Sequence, residues 1–89
     1  MRTPSFTKQF GKDVELMRRR GKNLQKIKSL LSSLIAGEQL EERYRDHELI
    51  GAYKGRRECH IEPDWLLIYK LEDDEIIFER TGTHSDLFE

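Results

Sequence analysis

Three histidines and one aspartate are the residues of this sequence best suited to moving protons. His47, His60 and His84 all lie in the second half of the 89-residue chain, and Asp64 follows His60 across Pro63. Imidazole titrates near neutral pH, so a histidine can either accept or donate a proton there. A nearby carboxylate orients an imidazole and favours its protonated form. These residue types indicate acid–base chemistry.

Cleavage of RNA by its own 2′-hydroxyl group needs side chains of this kind. One group removes the hydroxyl proton, a second protonates the leaving 5′-oxygen, and a third stabilises the charge that develops on the phosphate. The reaction needs no metal ion and no covalent enzyme intermediate, so we expect no cofactor. The same four residues could bind a transition metal, but the sequence has no CxxC or HxxxH pair, and we predict no metal site.

Several other residues have both a structural and a substrate-binding interpretation. Lys54, Arg56 and Arg57 are either solvated cations or phosphate contacts. Phe88 either packs the end of the chain onto the sheet or stacks on a base. Trp65 is suited to the hydrophobic core.

Length and composition predict one small intracellular domain over residues 1–89. Apolar residues make up 36% and charged residues 37% of the chain, and the longest apolar run is far too short to span a membrane. No segment near the start resembles a secretory signal. The single cysteine, Cys59, excludes an internal disulfide. We therefore expect a cytoplasmic protein that does not associate with membranes.

The near-zero net charge of −1 conceals a strong asymmetry. Residues 1–57 contain fourteen Lys and Arg against seven Asp and Glu, whereas residues 58–89 contain two against ten. A split of this kind favours a basic face that meets a polyanion or an acidic partner. The alternative is two solvated surfaces of opposite charge.

The first 37 residues are predicted to form an antiparallel helical hairpin. The first helix carries an apolar stripe, can take its N-cap from Ser5 or Thr7, and ends at Gly21; its stripe is Phe6, Phe10, Val14 and Met17. A second stripe, centred on Leu31, ends at Gly37; it comprises Leu24, Ile27, Leu31, Leu34 and Ile35. The short connection at Gly21 favours an antiparallel arrangement.

The remaining sequence has the two-residue periodicity of β-strands. We predict strands over His47–Tyr53, Arg56–Glu62, Trp65–Leu71 and Ile76–Thr81, followed by a tail from Thr83 to Glu89. The connections are short, so neighbouring strands must be antiparallel. The fold class is therefore α+β, with the helices on one face of a mainly antiparallel sheet. The other face stays partly open, and His60, Asp64 and His84 can converge there.

Four segments resemble one known family of proteins. They are YRDHELIG at Tyr44–Gly51, YKG at Tyr53–Gly55, RECHIEPDWLLIYKL at Arg57–Leu71 and FERTGTHSDLF at Phe78–Phe88. Together with the helical hairpin, they resemble the YafQ branch of the RelE/ParE toxin superfamily over essentially the whole chain. The resemblance implies a RelE-like, microbial-RNase-like fold.

The resemblance also implies a function and a set of site residues. Members are toxins of type II toxin–antitoxin systems that cleave mRNA in the ribosomal A site and are inhibited by a cognate antitoxin. Operator DNA is then contacted only through the antitoxin complex. The active-site positions correspond to His47, His60, Asp64 and His84, with Trp65 and Phe88 as supporting or base-contacting positions.

Individual roles and ribosome contacts follow from the resemblance as hypotheses. His84 is the expected general acid; His60 or His47 would activate the 2′-hydroxyl or stabilise the phosphate, and Asp64 would assist or act as the base. Basic residues of the hairpin could bind ribosomal RNA and leave the sheet to hold the message: Lys8, Lys12, Arg18, Arg19, Arg20, Lys22, Lys26 and Lys28. The alternative is a ParE-like toxin that acts without catalysis by binding a protein such as gyrase.

Overall fold

A computed structural model describes residues 1–88 and shows three helices and a five-stranded sheet. In chain order the elements are β1 (Thr3–Phe6), α1 (Lys8–Arg19), α2 (Leu24–Ala36), β2 (His47–Glu48), β3 (Arg57–Glu62), β4 (Trp65–Glu72), β5 (Glu75–Gly82) and α3 (His84–Phe88). Short 3₁₀ turns precede and follow β2, at Glu42–Tyr44 and Gly51–Tyr53. The α+β fold class is confirmed. No helix in residues 1–88 is long and apolar enough to cross a membrane.

The sheet is mainly antiparallel, as predicted, but it contains an unpredicted parallel strand. Its order is β1-β5-β4-β3-β2, and β1 runs parallel to β5 while every other neighbouring pair is antiparallel. Assigning Phe6 to the first helix was therefore wrong. Phe6 lies in edge strand β1, and its ring stacks on Phe78 of β5 at a centroid distance of 5.3 Å. This cross-strand contact outweighs the fit of Phe6 to the helical stripe.

The two long helices begin and end where their capping residues predict. The Thr7 hydroxyl accepts the backbone N–H of Phe10 at the start of α1. Gly21 and Gly37, with φ of 82° and 79°, adopt the left-handed conformation that ends each helix. Helix α2 returns to β1, where the backbone N–H of Arg2 donates to the carbonyl of Ile35. The end of α2 therefore lies next to the start of β1.

Each face of the central strand β4 contributes to a different hydrophobic core. Trp65, Leu67 and Tyr69 pack on the helix side of the sheet with α1 and α2. Leu66 and Ile68 face the opposite side, which we call the open face, and pack there with three further residues, Leu49, Tyr53 and Leu87. The prediction of a strand covered on both sides is confirmed. Within α2, Leu30 is buried and Leu31 only partly, so the expected central position of Leu31 was wrong.

Two predicted segments differ from the structure. The strand expected over His47–Tyr53 contains only two paired residues, because Gly51, with φ of 73°, turns the chain into the Gly51–Tyr53 3₁₀ turn. The segment after Gly82 forms helix α3 rather than an irregular tail, and Glu89 lies outside the described residues. Both segments cover the open-face core, so burial of Tyr53 and Leu87 determines their shape.

Candidate active site

The three histidines lie in a row on the open face of the sheet. The ring centroids of His47 and His60 are 6.4 Å apart, and those of His60 and His84 are 5.9 Å apart. His47 is on β2, His60 on β3 and His84 at the start of α3. The fold thus brings together residues separated by up to 37 positions in sequence. His60 is therefore the middle of the row, with one histidine on each side.

Asp64 holds His84 in a defined orientation. One oxygen, Oδ1, accepts both the ring Nδ1–H at 2.6 Å and the backbone N–H at 3.0 Å. These two bonds, the backbone bond more strongly, lower the pKa of Asp64 below its usual value. The carboxylate is therefore ionised at neutral pH and fixes the proton on Nδ1 of His84. The other nitrogen, Nε2, remains available to a substrate.

Glu58 is a buried carboxylate between His47 and His60, and the sequence interpretation missed its role. Its side chain is only 7% exposed; Oε1 lies 3.3 Å from Nε2 of His60, and Oε2 lies 3.6 Å from Nε2 of His47. His47 also approaches the carbonyl oxygen of Arg45 through Nδ1, at 2.6 Å. The strand alternation that places Glu58 and His60 on one face of β3 could have identified it. The alternation fails further on, because a bulge directs the Glu62 carboxylate to Lys22 and Lys26 of the helical layer.

Helix α3 is fastened to α1 by Asp86. Its carboxylate accepts two bonds from the Arg20 guanidinium, at 2.7 and 3.1 Å, and one from the backbone N–H of Thr83 at 2.9 Å. A Cβ atom at Gly82 would lie 2.9 Å from Cβ of Asp86, so only glycine fits there without a shift. The Arg20 guanidinium and the Thr83 N–H lower the pKa of Asp86 to about 2. These contacts position His84.

The Asp86→Asn variant should be less stable than the wild type at pH 7 but not at pH 2. Because the pKa of Asp86 is lower in the folded state, its ionised form stabilises the fold above the unfolded pKa of about 3.9. That contribution disappears as the pH falls towards 2. We expect a loss of about 1–2 kcal/mol at neutral pH, reduced by the partial solvent exposure of Arg20. Urea unfolding of both proteins across this pH range measures the difference in their free energies of unfolding. An equal difference at pH 7 and pH 2 would contradict a stabilising role for the ionised Asp86 carboxylate.

Phe88 and Trp65 differ completely in exposure. Phe88 is 45% exposed, and its ring lies 5.5 Å from that of Tyr53 and 6.3 Å from that of His84. Trp65 is fully buried on the helix side, where its indole N–H donates to the hydroxyl of Thr81 at 3.0 Å. A base-contacting role for Trp65 is therefore wrong, because the sheet separates it from the histidines. Its position allows only the supporting role.

The predicted phosphate contacts after β2 occupy different environments. Lys54 is exposed, whereas Arg56 pairs with Glu79 at 2.8 Å. Arg57 lies on the opposite side of β3 from His60, 3.3 Å from the Asp46 carboxylate. The hydroxyl of Tyr69 donates to the same carboxylate at 2.6 Å, and burial raises the pKa of this tyrosine. Arg57 therefore belongs to a helix-side network, and its contact with substrate stays a prediction.

Arg80 is a second residue that the sequence interpretation overlooked. It pairs with Ile68 across the sheet and therefore lies on the open face. Its guanidinium bonds to the buried Asp13 carboxylate at 2.7 Å, which also accepts the backbone N–H of Thr81. Because Ile68 pairs in turn with Glu58 of β3, this contact fixes a cation in the same cross-strand row as Glu58. The position of Asp13 outside the apolar stripe of α1 gave no indication of this ion pair.

Five of the eight basic residues predicted to contact ribosomal RNA are engaged in ion pairs. Arg18 and Arg19 contact Glu15, Arg20 contacts Asp86, and Lys22 and Lys26 share Glu62. Lys8, Lys12 and Lys28 are exposed and have no carboxylate partner within residues 1–88. As for metals, residues 1–88 contain no cluster of three His, Cys, Asp or Glu side chains arranged to hold an ion.

Comparison with known proteins gives consistent results over the whole chain. A family described as the bacterial toxin of type II toxin–antitoxin system, YafQ, matches residues 2–89. The chain is 49% identical over 84 residues to the mRNA interferase toxin YafQ of Escherichia coli K12, covering 93% of this chain and 91% of that protein. The crystal structure of YafQ from E. coli BL21(DE3) superposes with a TM-score of 0.95 at 46% identity, covering all of both chains.

The toxin in the crystal structure of the E. coli DinJ–YafQ complex is also similar, with a TM-score of 0.93 and 47% identity over all of both chains. The fold is that of a type II toxin of the RelE-like group. Within this group, the chain belongs to the YafQ toxin family.

Proposed function

We propose that this protein is an mRNA interferase, a toxin that cleaves ribosome-bound message by acid–base catalysis. The observation that carries the proposal is the pairing of two imidazoles with two carboxylates, Asp64 with His84 and Glu58 with His60, at a ring separation of 5.9 Å. The relatives named mRNA interferase support the same activity. Its place of action would be the cytoplasm, where ribosomes lie.

His84 is the proposed general acid. The Asp64 carboxylate accepts a hydrogen bond from Nδ1–H, so Nε2 is the nitrogen that would deliver a proton to the leaving 5′-oxygen. A donor at this position contributes by removing negative charge from the leaving oxygen in the transition state. Asp64 acts through His84, and it is a positioning residue in this scheme rather than the base.

His60 is the proposed general base. Its Nε2 lies 3.3 Å from the buried Glu58 carboxylate, and in this scheme Nδ1 accepts the 2′-hydroxyl proton. His47 contacts both Glu58 and the Arg45 carbonyl, so both of its ring nitrogens face oxygen atoms and its ring is held beside His60. We assign His47 and Arg80 to stabilising the charge that develops on the phosphate.

The test of this function is cleavage of a message on purified ribosomes, followed by analysis of the product ends. Attack by the 2′-hydroxyl leaves a 2′,3′-cyclic phosphate and a 5′-hydroxyl, and a message with 2′-deoxyribose at the cleaved position should resist cleavage completely. Primer extension locates the cut, and mass spectrometry identifies the ends. Intact message combined with inhibition of gyrase would instead support the ParE-like alternative, and a 5′-phosphate product would exclude the proposed chemistry.

The proposed ribosome contact now rests on the unpaired cations of the hairpin. Replacing Lys8, Lys12 and Lys28 together with alanine should weaken ribosome binding and flatten its dependence on salt, since each phosphate contact adds about 0.7–0.9 to the slope of log K against log salt. Filter binding between 50 and 200 mM salt measures the slope. The Ser5→Ala variant is the control, and an unchanged slope in the triple variant would place the ribosome contact elsewhere.

We also propose a cognate antitoxin as the protein partner. The DinJ–YafQ complex of a similar toxin supports this. The antitoxin would cover the row of histidines or pull α3 away from Asp64, and any contact with operator DNA would be made through the antitoxin. Co-purification of this chain with the product of the adjacent gene tests the pairing.

A further inference from the structure

We propose that the pocket beside β3 is a binding subsite for the nucleotide on the 5′ side of the cleaved bond. This inference rests on the proposed function and assigns one part of the substrate to one part of the surface. The pocket has a volume of about 720 Å³, within the range of small-molecule sites. Helix α2, the Glu42–Tyr44 turn and β3 form its walls.

The pocket is continuous with the catalytic centre because His60 belongs to both. Strand β2 pairs with β3 only at Arg57 and Glu58, so the outer edge of β3 from Cys59 onwards has no neighbouring strand within residues 1–88. The pocket lies along this edge, from His60 to Pro63. His84 and Phe88 lie on the opposite side of His60 and do not line the pocket.

The lining carries the charge that a nucleotide needs. Lys26, Arg43 and Arg45 contribute three positive charges, and Glu62 is the single carboxylate among the lining residues. Glu62 already accepts bonds from Lys22 and Lys26 at 3.0 and 2.8 Å, which lower its pKa and neutralise its charge. Arg43 also pairs with Glu41 at 3.5 Å. Four cations, Lys22 included, still exceed these two carboxylates by two charges, and this excess favours a phosphate-bearing ligand.

Arg43 and Tyr44 supply a stacking surface at the wall of this pocket. The Arg43 guanidinium lies 4.7 Å from the centre of the Tyr44 ring, and one of its nitrogens donates to the Tyr44 hydroxyl at 2.8 Å. This hydrogen bond holds the guanidinium against the Tyr44 side chain. Single-stranded RNA bases stack on arginine planes as well as on aromatic rings. A base can stack on the Arg43–Tyr44 pair, and Lys26 and Arg45 can contact the phosphate of the same nucleotide.

The proposed catalytic roles determine which nucleotide enters. His60, as the base, contacts the 2′-hydroxyl, which belongs to the nucleotide on the 5′ side of the cleaved bond. His84, as the acid, contacts the leaving oxygen of the nucleotide on the 3′ side, next to the exposed Phe88. The pocket beside His60 therefore receives the nucleotide on the 5′ side, and Phe88 contacts the nucleotide on the 3′ side.

The test compares Arg43→Lys, which keeps the charge but loses the plane, with Lys70→Ala, which removes one cation on β4 outside the pocket. The probe is a dinucleotide with 2′-deoxyribose on its 5′ nucleotide, titrated into isotope-labelled wild type and variants by NMR. We expect shifts at residues 43–45 and 60–63 in the wild type, affinity about tenfold weaker in Arg43→Lys, and wild-type affinity in Lys70→Ala.

Cleavage on ribosomes by the same variants separates this proposal from the proposed function. We expect Arg43→Lys to lose preference among messages that differ in the 5′ nucleotide, while wild type and Lys70→Ala keep it. Two results would overturn the subsite alone. One is a wild type that cleaves message but shows no NMR shifts at residues 43–45; the other is an Arg43→Lys variant that loses only antitoxin binding. If the wild type binds the dinucleotide in the pocket but cleaves no message, the proposed function is overturned while the nucleotide-binding subsite still stands.

Discussion

The His84→Ala variant should cleave ribosome-bound message about 10²–10⁴ times more slowly than the wild type, since that is the usual contribution of a general acid. The structure gives the reason: Asp64 fixes the proton on Nδ1 and leaves Nε2 as the donor. A single-turnover time course at saturating ribosome concentration measures the chemical step. The affinity for ribosomes should not change, because His84 lies on the open face and the unpaired lysines lie on the hairpin.

The control for this experiment is Ser85→Ala, an exposed position in the same helix. It should cleave at the wild-type rate and shows whether α3 tolerates a substitution. Thermal unfolding of both variants must give similar midpoints for the comparison to be valid. A tenfold or smaller loss in a folded His84→Ala variant would reject the general-acid assignment.

The His60→Ala variant should show a loss of similar size, about 10²–10⁴, and the His47→Ala variant a smaller one. His60 is 13% exposed and takes its orientation from a buried carboxylate, whereas His47 is half-exposed on a two-residue strand. The rates of the two single variants and the double variant, measured by the same time course, distinguish the base from the charge-stabilising residue. A larger loss in His47→Ala than in His60→Ala would exchange the two roles.

Glu58→Gln is the accompanying test of how His60 is positioned. The substitution keeps the shape and removes the charge that lies 3.3 Å from Nε2 of His60. We expect about a 10–100-fold loss, since a small misplacement of a catalytic group costs up to about 10²-fold. The loss should appear in the rate of the chemical step and not in ribosome affinity. Glu48→Gln, at an exposed position of β2, is the matched control and should keep the wild-type rate.

Much of the fold could be predicted from the sequence because local rules apply to it. The helices end at glycines in the left-handed conformation, and the apolar run at Trp65–Leu71 lies in the middle of the sheet with a core on each face. Strand β1 could not be predicted in this way. Its four residues are all exposed, so no alternation of burial marks it, and its pairing with β5 depends on a contact between Phe6 and Phe78 that are 72 positions apart.

The sequence alone determined which kinds of chemistry this protein can perform, because residue types fix which groups titrate near neutral pH. It also provided the four residues that the fold brings to one face. Only the tertiary structure decided which groups surround the histidines, since Glu58 contacts His47 of the neighbouring strand, and Arg80 and Asp86 pair with residues far away in the sequence. The same structure separated Trp65 and Arg57 from the histidines, because burial and the side of a strand depend on packing across the whole sheet.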